Sequence, residues 1–223
     1  MQRREFSRTV GFSALSAAGL AALGAHPAHA QGKPPVNGTD FLTLDKPAAV
    51  DAAPGKIEVV EFFWYSCPHC NQFEPQFDAW TKKVPADVSV RRVPVSFRPD
   101  FEPQQRLYYV LEAMGKVEEM HKKVFAAIHV DKQLLNTPDL IAAWAEKQGL
   151  GKAKFTELYN SFPVNTKVRK ATQLQDQFQV DGVPALGVAG RFYTSASLAG
   201  TMDRALQVTE FLIGQARKKG AKA

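Results

Sequence analysis

The sequence predicts an α/β protein whose sheet is interrupted by an inserted all-helical domain. Three observations predict it. Ile57–Tyr65 is apolar on both faces, the pattern of a central strand covered by helices on each side. Residues 101–178 carry helical periodicity almost without a break. Strand signals return at Val183–Val188 and Arg191–Thr194, and neither flank of the helical stretch can close a sheet alone. The expected organisation is a leader at 1–30, an α/β domain built from 31–100 and 179–223, and a helical domain at 101–178.

The leader reads as an export signal. Arg3, Arg4 and Arg8 make a basic start, Val10–Ala25 is small and apolar, and Ala28-His29-Ala30 supplies a cleavage site before Gln31. Arg3-Arg4-Glu5-Phe6 resembles the twin-arginine motif, although the same run fits a general secretory signal. The apolar stretch is too short and too rich in Ala and Gly for a membrane span. Removing the leader takes away three Arg and one Glu and lowers the formal charge from +6 to +4.

Phe41–Leu44 is a short first strand, and Ile57–Tyr65 the second, delivering Cys67 to the point where strand gives way to helix. Phe73, Phe77 and Trp80 define a helix from Cys67 to about Val84, with a kink expected at Pro75. Val88–Phe97 alternates as a third strand. The helical stretch opens near Pro103, with Leu107, Val110, Leu111 and Met114 on one face and Gly115 as its stop. Val117, Met120, Val124 and Ile128 continue the period. Thr137-Pro138 caps a further helix that ends at Gly149, and two shorter patterns follow at Phe155–Tyr159 and Val164–Leu174. Ala189-Gly190 joins the last two strands as a tight hairpin. A closing helix runs from about Thr201 to Arg217, turning Leu206, Leu212 and Ile213 inward.

Composition narrows the function. An apolar fraction of 45% belongs to a folded globular chain and excludes global disorder. The basic tail Arg217-Lys218-Lys219 and Lys222 is a solvated charge run, and no basic patch interleaved with aromatics speaks for nucleic acid. Chemistry falls to the two cysteines, Cys67 and Cys70. A structural zinc site needs about four ligands, and His69, His121 and His129 are not paired at ligand spacing, so no metal is expected. Haem attachment needs His directly after the second cysteine, where Asn71 stands. An inert disulfide stays open as a reading, though so short a loop removes little unfolded-chain entropy. A redox pair fits the setting best. At a helix N-terminus Cys67 ionises readily and serves as nucleophile; Cys70, one turn on, resolves. His69 can place positive charge or a hydrogen bond beside the Cys67 thiolate, and Pro68 fills the other position of the loop. Stabilising that thiolate stabilises the reduced protein and makes the disulfide a stronger oxidant.

Glu61-Phe62-Phe63, Cys67-Pro68-His69-Cys70 and Gly182-Val183-Pro184-Ala185 together resemble the thioredoxin superfamily, and within it the DsbA family of periplasmic thiol:disulfide interchange proteins. The resemblance spans most of residues 40–217 and implies a thioredoxin fold carrying a helical insertion. It implies a cis proline at Pro184, with the Val183 backbone pairing to an extended substrate, and a role in proton transfer near Cys70 for Glu61. Glu74 and Arg92 either complete a charged cluster there or lie on solvated surface. Pro-His between the cysteines marks the oxidants of the superfamily. The resemblance further implies no cofactor beyond the Cys67–Cys70 disulfide, reduced exported proteins as substrates, a DsbB-like quinone-linked membrane oxidase as partner, and a monomer. Pro75 departs from the DsbA pattern toward that of thioredoxins. Two other readings remain beside the oxidant: an isomerase or reductase of the same fold, and a chaperone that holds peptides beside Pro184 without redox turnover.

Overall fold

Strand β2 (Ile57–Phe63) lies at the heart of the sheet and is buried from Glu58 onward. It pairs in parallel with β3 (Val88–Pro94) on one side and antiparallel with β4 (Ala185–Val188) on the other. Strand β5 (Phe192–Ser195) and the two-residue β1 (Leu42–Thr43) complete the order β1-β5-β4-β2-β3. The sheet thus draws strands from both sides of the helical stretch. The computed structural model describes residues 33–220, and the export signal at 1–30 lies outside the described residues.

Helix α1 (Pro68–Thr81) crosses between the parallel strands β2 and β3, and runs through Pro75. Between β3 and β4 stand a 3-10 turn (Pro99–Phe101) and helices α2 (Glu102–Ala113), α3 (Val117–His129), α4 (Pro138–Lys147), α5 (Lys152–Tyr159) and α6 (Phe162–Gln177). The Thr137 hydroxyl caps α4 by accepting from Leu140 N–H, and Ser161 does the same for α6 at Val164. A single turn α7 (Ala196–Ala199) precedes α8 (Met202–Gly220), which packs on β2, β4 and β5.

Several element ends fall short of the sequence reading. Strand β2 stops at Phe63, two residues early, because Trp64–Ser66 turn away to present Cys67. Strand β3 ends at Pro94, opposite Phe63 at the end of β2, and the Val95 N–H makes the last bond of the ladder to the Phe63 carbonyl at 2.9 Å. Strand β4 starts at Ala185, after a cis Val183–Pro184 peptide. In the β4–β5 hairpin Ala189 and Gly190 both take positive φ, 53° and 61°, as a two-residue turn of this hand requires. Gly190 is fixed a second time by crowding, since a Cβ there would stand 2.5 Å from the Ala48 carbonyl oxygen.

Successive residues of β2 face opposite ways. Val60 and Phe62 join one continuous apolar cluster with Leu107, Leu111, Phe155, Leu174 and Phe178 of the helical stretch and the chain after it. Val59 packs instead with Val208 and Leu212 of α8. Glu61 shares that second face, beneath α1.

Candidate redox site

Cys67 is the N-cap of α1. Its backbone is extended (φ −77°, ψ 117°), and its sulfur accepts from the Cys70 backbone N–H at 3.4 Å. Pro68 suits the first helical position, where no N–H is needed. The chain before it is tightly held: Cys67 N–H bonds the Trp64 carbonyl at 3.0 Å, and Ser66 N–H bonds Gln104 Oε1 at 3.1 Å. Gln104 returns a bond from Nε2 to Ser66 Oγ at 2.7 Å and donates a second to the Leu135 carbonyl at 2.9 Å. Both cysteines are free thiols, and Cys67 Sγ donates to the Val183 carbonyl at 3.4 Å, directly before the cis proline.

The two sulfurs differ sharply. The Cys67 thiol is lowered from 9.0 to about 6, first by a hydrogen bond from the Cys70 side chain. Burial opposes this, while the backbone N–H groups of Cys70 and His69 and the His69 charge add to it. Burial pushes the Cys70 thiol well above its ordinary range, helped by the neighbouring Cys67 sulfur and by Glu61. Cys67, the less deeply buried of the two, thus gives up its proton readily, and Cys70 keeps its own. His69 and Pro68 are exposed, and His69 lines a groove of about 580 Å³ with Gln72, Gln76, Val183, Pro184 and Met202.

Behind Cys70 lies a charged cluster that is buried, not solvated. Arg92 Nη2 donates to Glu74 Oε1 at 2.8 Å, and Arg92 Nε stands 3.2 Å from Glu61 Oε2. That second contact has the distance of an ion pair without the alignment of a hydrogen bond. Parallel pairing puts Glu61 opposite Arg92, and the guanidinium sits over the Phe77 ring, 5.2 Å from its centre. Burial pushes the Glu61 carboxyl up to about 8 against the pull of Arg92. Glu61, Glu74 and Arg92 therefore form one cluster with Cys70 in its field. Among the described residues no group of three or more His, Cys, Asp and Glu could hold a metal ion.

Sequence reasoning missed three members of this neighbourhood: Gln104, Tyr65 and His121. The Tyr65 hydroxyl lies 2.9 Å from His121 Nδ1, and His121 Nε2 lies 3.3 Å from Glu74 Oε2. A signal for His121 existed, because it shares the apolar stripe of Val117, Val124 and Ile128 on α3. Gln104, beside Gln105 at the start of α2, carries no such sign.

Comparison with known proteins agrees with this geometry. The model of the DSBA-like thioredoxin domain family matches residues 58–207. The thiol:disulfide interchange protein DsbA of Burkholderia cepacia is 40% identical over 202 residues, covering 90% of this chain and 95% of that protein. The crystal structure of Pseudomonas aeruginosa DsbA superposes with a TM-score of 0.78 at 38% identity, over 83% of this chain and 96% of the other. The oxidoreductase DsbA from Xylella fastidiosa gives 0.77 at 27% identity, over 82% and 98%. A redox pair capping a helix, a cis proline against it and these relatives converge on one assignment: the chain belongs to the DsbA family of thiol:disulfide oxidoreductases.

Proposed function

We propose that the chain oxidises reduced proteins in the periplasm by donating the Cys67–Cys70 disulfide through a mixed disulfide at Cys67. The observation that carries this reading is the asymmetry of the pair, a Cys67 thiol at about 6 beside a Cys70 thiol raised by burial. Each tenfold gain in thiolate stability is worth about 30 mV for a two-electron couple. Lowering Cys67 from 9.0 to about 6 therefore makes the disulfide about 30 mV more oxidising at pH 7, one unit above the folded value, and on the order of 90 mV more oxidising above pH 9, which favours an oxidant over a reductase.

The steps balance as follows. A substrate thiolate attacks Cys67 Sγ; the new S–S bond forms as the Cys67–Cys70 bond breaks, and the electron pair leaves on Cys70. Buried Cys70 takes a proton, which Glu61 supplies. The substrate's second thiolate attacks the substrate sulfur of the mixed disulfide, and Cys67 departs as a thiolate. The substrate loses two electrons and the pair ends reduced. A DsbB-like, quinone-linked membrane oxidase then removes those electrons. The periplasmic address rests on the signal at 1–30 and on family membership; among the described residues no helix is long and apolar enough to cross a membrane.

Cys67→Ser is expected to abolish oxidation of a reduced, unfolded protein, and absorbance titration of the wild-type thiolate is expected to give a midpoint near 6. Full activity in the variant, or a Cys67 that ionises like free cysteine, overturns the reading. Redox equilibration with glutathione separates oxidant from isomerase or reductase.

A further inference from the structure

We propose that Tyr65 and His121 are positioning residues for proton delivery to Cys70: through Glu74 and Arg92 they decide that Glu61, and not Glu74, is the carboxyl that carries the proton. The inference rests on the proposed oxidant mechanism and on Glu61 as its acid.

Two carboxylates and one guanidinium meet in this buried space, so the three groups cannot all be equally satisfied. Glu74 receives two donors, Arg92 Nη2 at 2.8 Å on Oε1 and His121 Nε2 at 3.3 Å on Oε2. Glu61 receives only the misaligned Nε edge of the same guanidinium. A buried carboxylate with donors on both oxygens holds its charge; one without them holds a proton.

His121 can play this part in one tautomer only. A carboxylate accepts and never donates, so Nε2 must bear the hydrogen that reaches Glu74. Burial lowers the His121 basicity against the pull of Glu74, which keeps the ring neutral and leaves Nδ1 as an acceptor. The Tyr65 hydroxyl, 2.9 Å from Nδ1, donates there and holds the tautomer. Aromatic packing fixes the ring plane: Phe63 and Phe125 both stand edge-to-face to it, with centroids 5.1 Å away. The order of control runs Tyr65, His121, Glu74, Arg92, Glu61. Every element packed on the cluster contributes. Glu61 and Tyr65 come from β2 and its following turn, Cys70 and Glu74 from α1, Arg92 from β3, Tyr108 from α2, and His121 with Glu118 from α3. The elevated Glu61 carboxyl, at about 8, agrees with the assignment.

Removing the His121 donor leaves Glu74 short of one partner. The proton then moves to Glu74, and Arg92 is freed to hold Glu61 as a carboxylate. The experiment is reduction of the oxidised full chain by a small thiol across pH 5–9, with rates expressed per attacking thiolate. Wild type is expected to hold a constant rate until it falls near pH 8. His121→Leu is expected to bring that fall at least one pH unit lower, leaving the rate at least about threefold slower at pH 7.5. Tyr65→Phe, which removes a single oxygen, is expected to shift it the same way by less. His121→Gln, whose amide restores a donor toward Glu74, is expected to return most of it. Urea unfolding of each variant reports whether it is folded, and the infrared band of the protonated carboxyl, assigned by its loss in Glu61→Gln, reads the proton directly should His121→Leu not fold. A wild-type fall near pH 8 that Tyr65→Phe and His121→Leu leave in place overturns the proposal. A wild-type profile identical to that of Glu61→Gln overturns instead the acid role on which it stands.

Discussion

At the scale of single residues, the site divides into groups proposed to carry the chemistry and groups that hold them. The first kind was legible. Cys67 and Cys70 announce themselves by spacing, Pro184 by its place beside Val183, and Glu61 by being a carboxylate in an apolar strand. The second kind was not, because a buttress is defined by what it touches across long stretches of sequence. Gln104 is the clearest case: it reads as an ordinary polar helix residue, yet it is 3% exposed and makes all three of its bonds 31 or more residues away. Its amide is what joins α2 to the turn that presents Cys67. Gln104→Leu keeps the volume and strips the bonds, leaving the Ser66 N–H without its partner. Unpaired buried polar groups cost about 1–3 kcal/mol, so urea unfolding is expected to show a loss of that order. The absorbance midpoint of Cys67 is expected to rise, since the cap geometry depends on the same turn. A variant with unchanged stability and an unmoved midpoint shows that the clamp is incidental.

At the scale of elements, type was easier to read than extent. Periodicity found α2 through α6 and the Thr137-Pro138 cap, but a strand's end depends on its partners. Strand β3 stops where its partner β2 ends at Phe63, and β4 begins only after the cis bond, so the pattern at Val183 and Pro184 overstated it. The turn α7 is four residues long and offers no repeat to detect. Packing between elements left one sharp trace in the sequence, Gly187 in the middle of β4. A Cβ there would stand 2.5 Å from Cε1 and 2.7 Å from Cζ of Phe178. That ring is 1% exposed and packs edge-to-face on Phe62, with centroids 5.2 Å apart, so it has nowhere to go. Overpacking of this kind costs about 1–3 kcal/mol, and Gly187→Ala is expected to lose that much stability by denaturant unfolding. Adding Phe178→Leu is expected to recover part of it, a coupling that a double-mutant cycle measures. Additive losses rule out the contact as the reason for glycine.

At the scale of the whole molecule, redox state and folding stability are linked through protons, and the sign of the linkage follows from the two sulfurs. In the reduced protein the Cys67 thiol falls to about 6 on folding, below the roughly 8.5 of an unfolded cysteine. A depressed value contributes stability that is present above the unfolded value and lost as pH falls through 6. Between those limits the unfolded chain binds one proton more than the folded one, so reduced-state stability climbs by at most about 1.4 kcal/mol per pH unit. Cys70 works the other way, because burial raises it; its contribution is present below the unfolded value and is lost as pH rises further. The oxidised protein has neither thiol, and the raising of Glu61, which burial drives and neither thiol contributes to, largely cancels when the two are compared. The stability of reduced minus oxidised protein is therefore expected to be flat below pH 6, to rise to a maximum near 8.5, and to decline beyond it. Urea unfolding of both forms at half-unit steps from pH 5 to 10 measures the curve. A difference that stays level between 6 and 8.5 removes the thiolate as the source of oxidising power. A rise followed by a decline shows instead that the folded protein is most relaxed with its disulfide given away, which is the thermodynamic requirement for a donor.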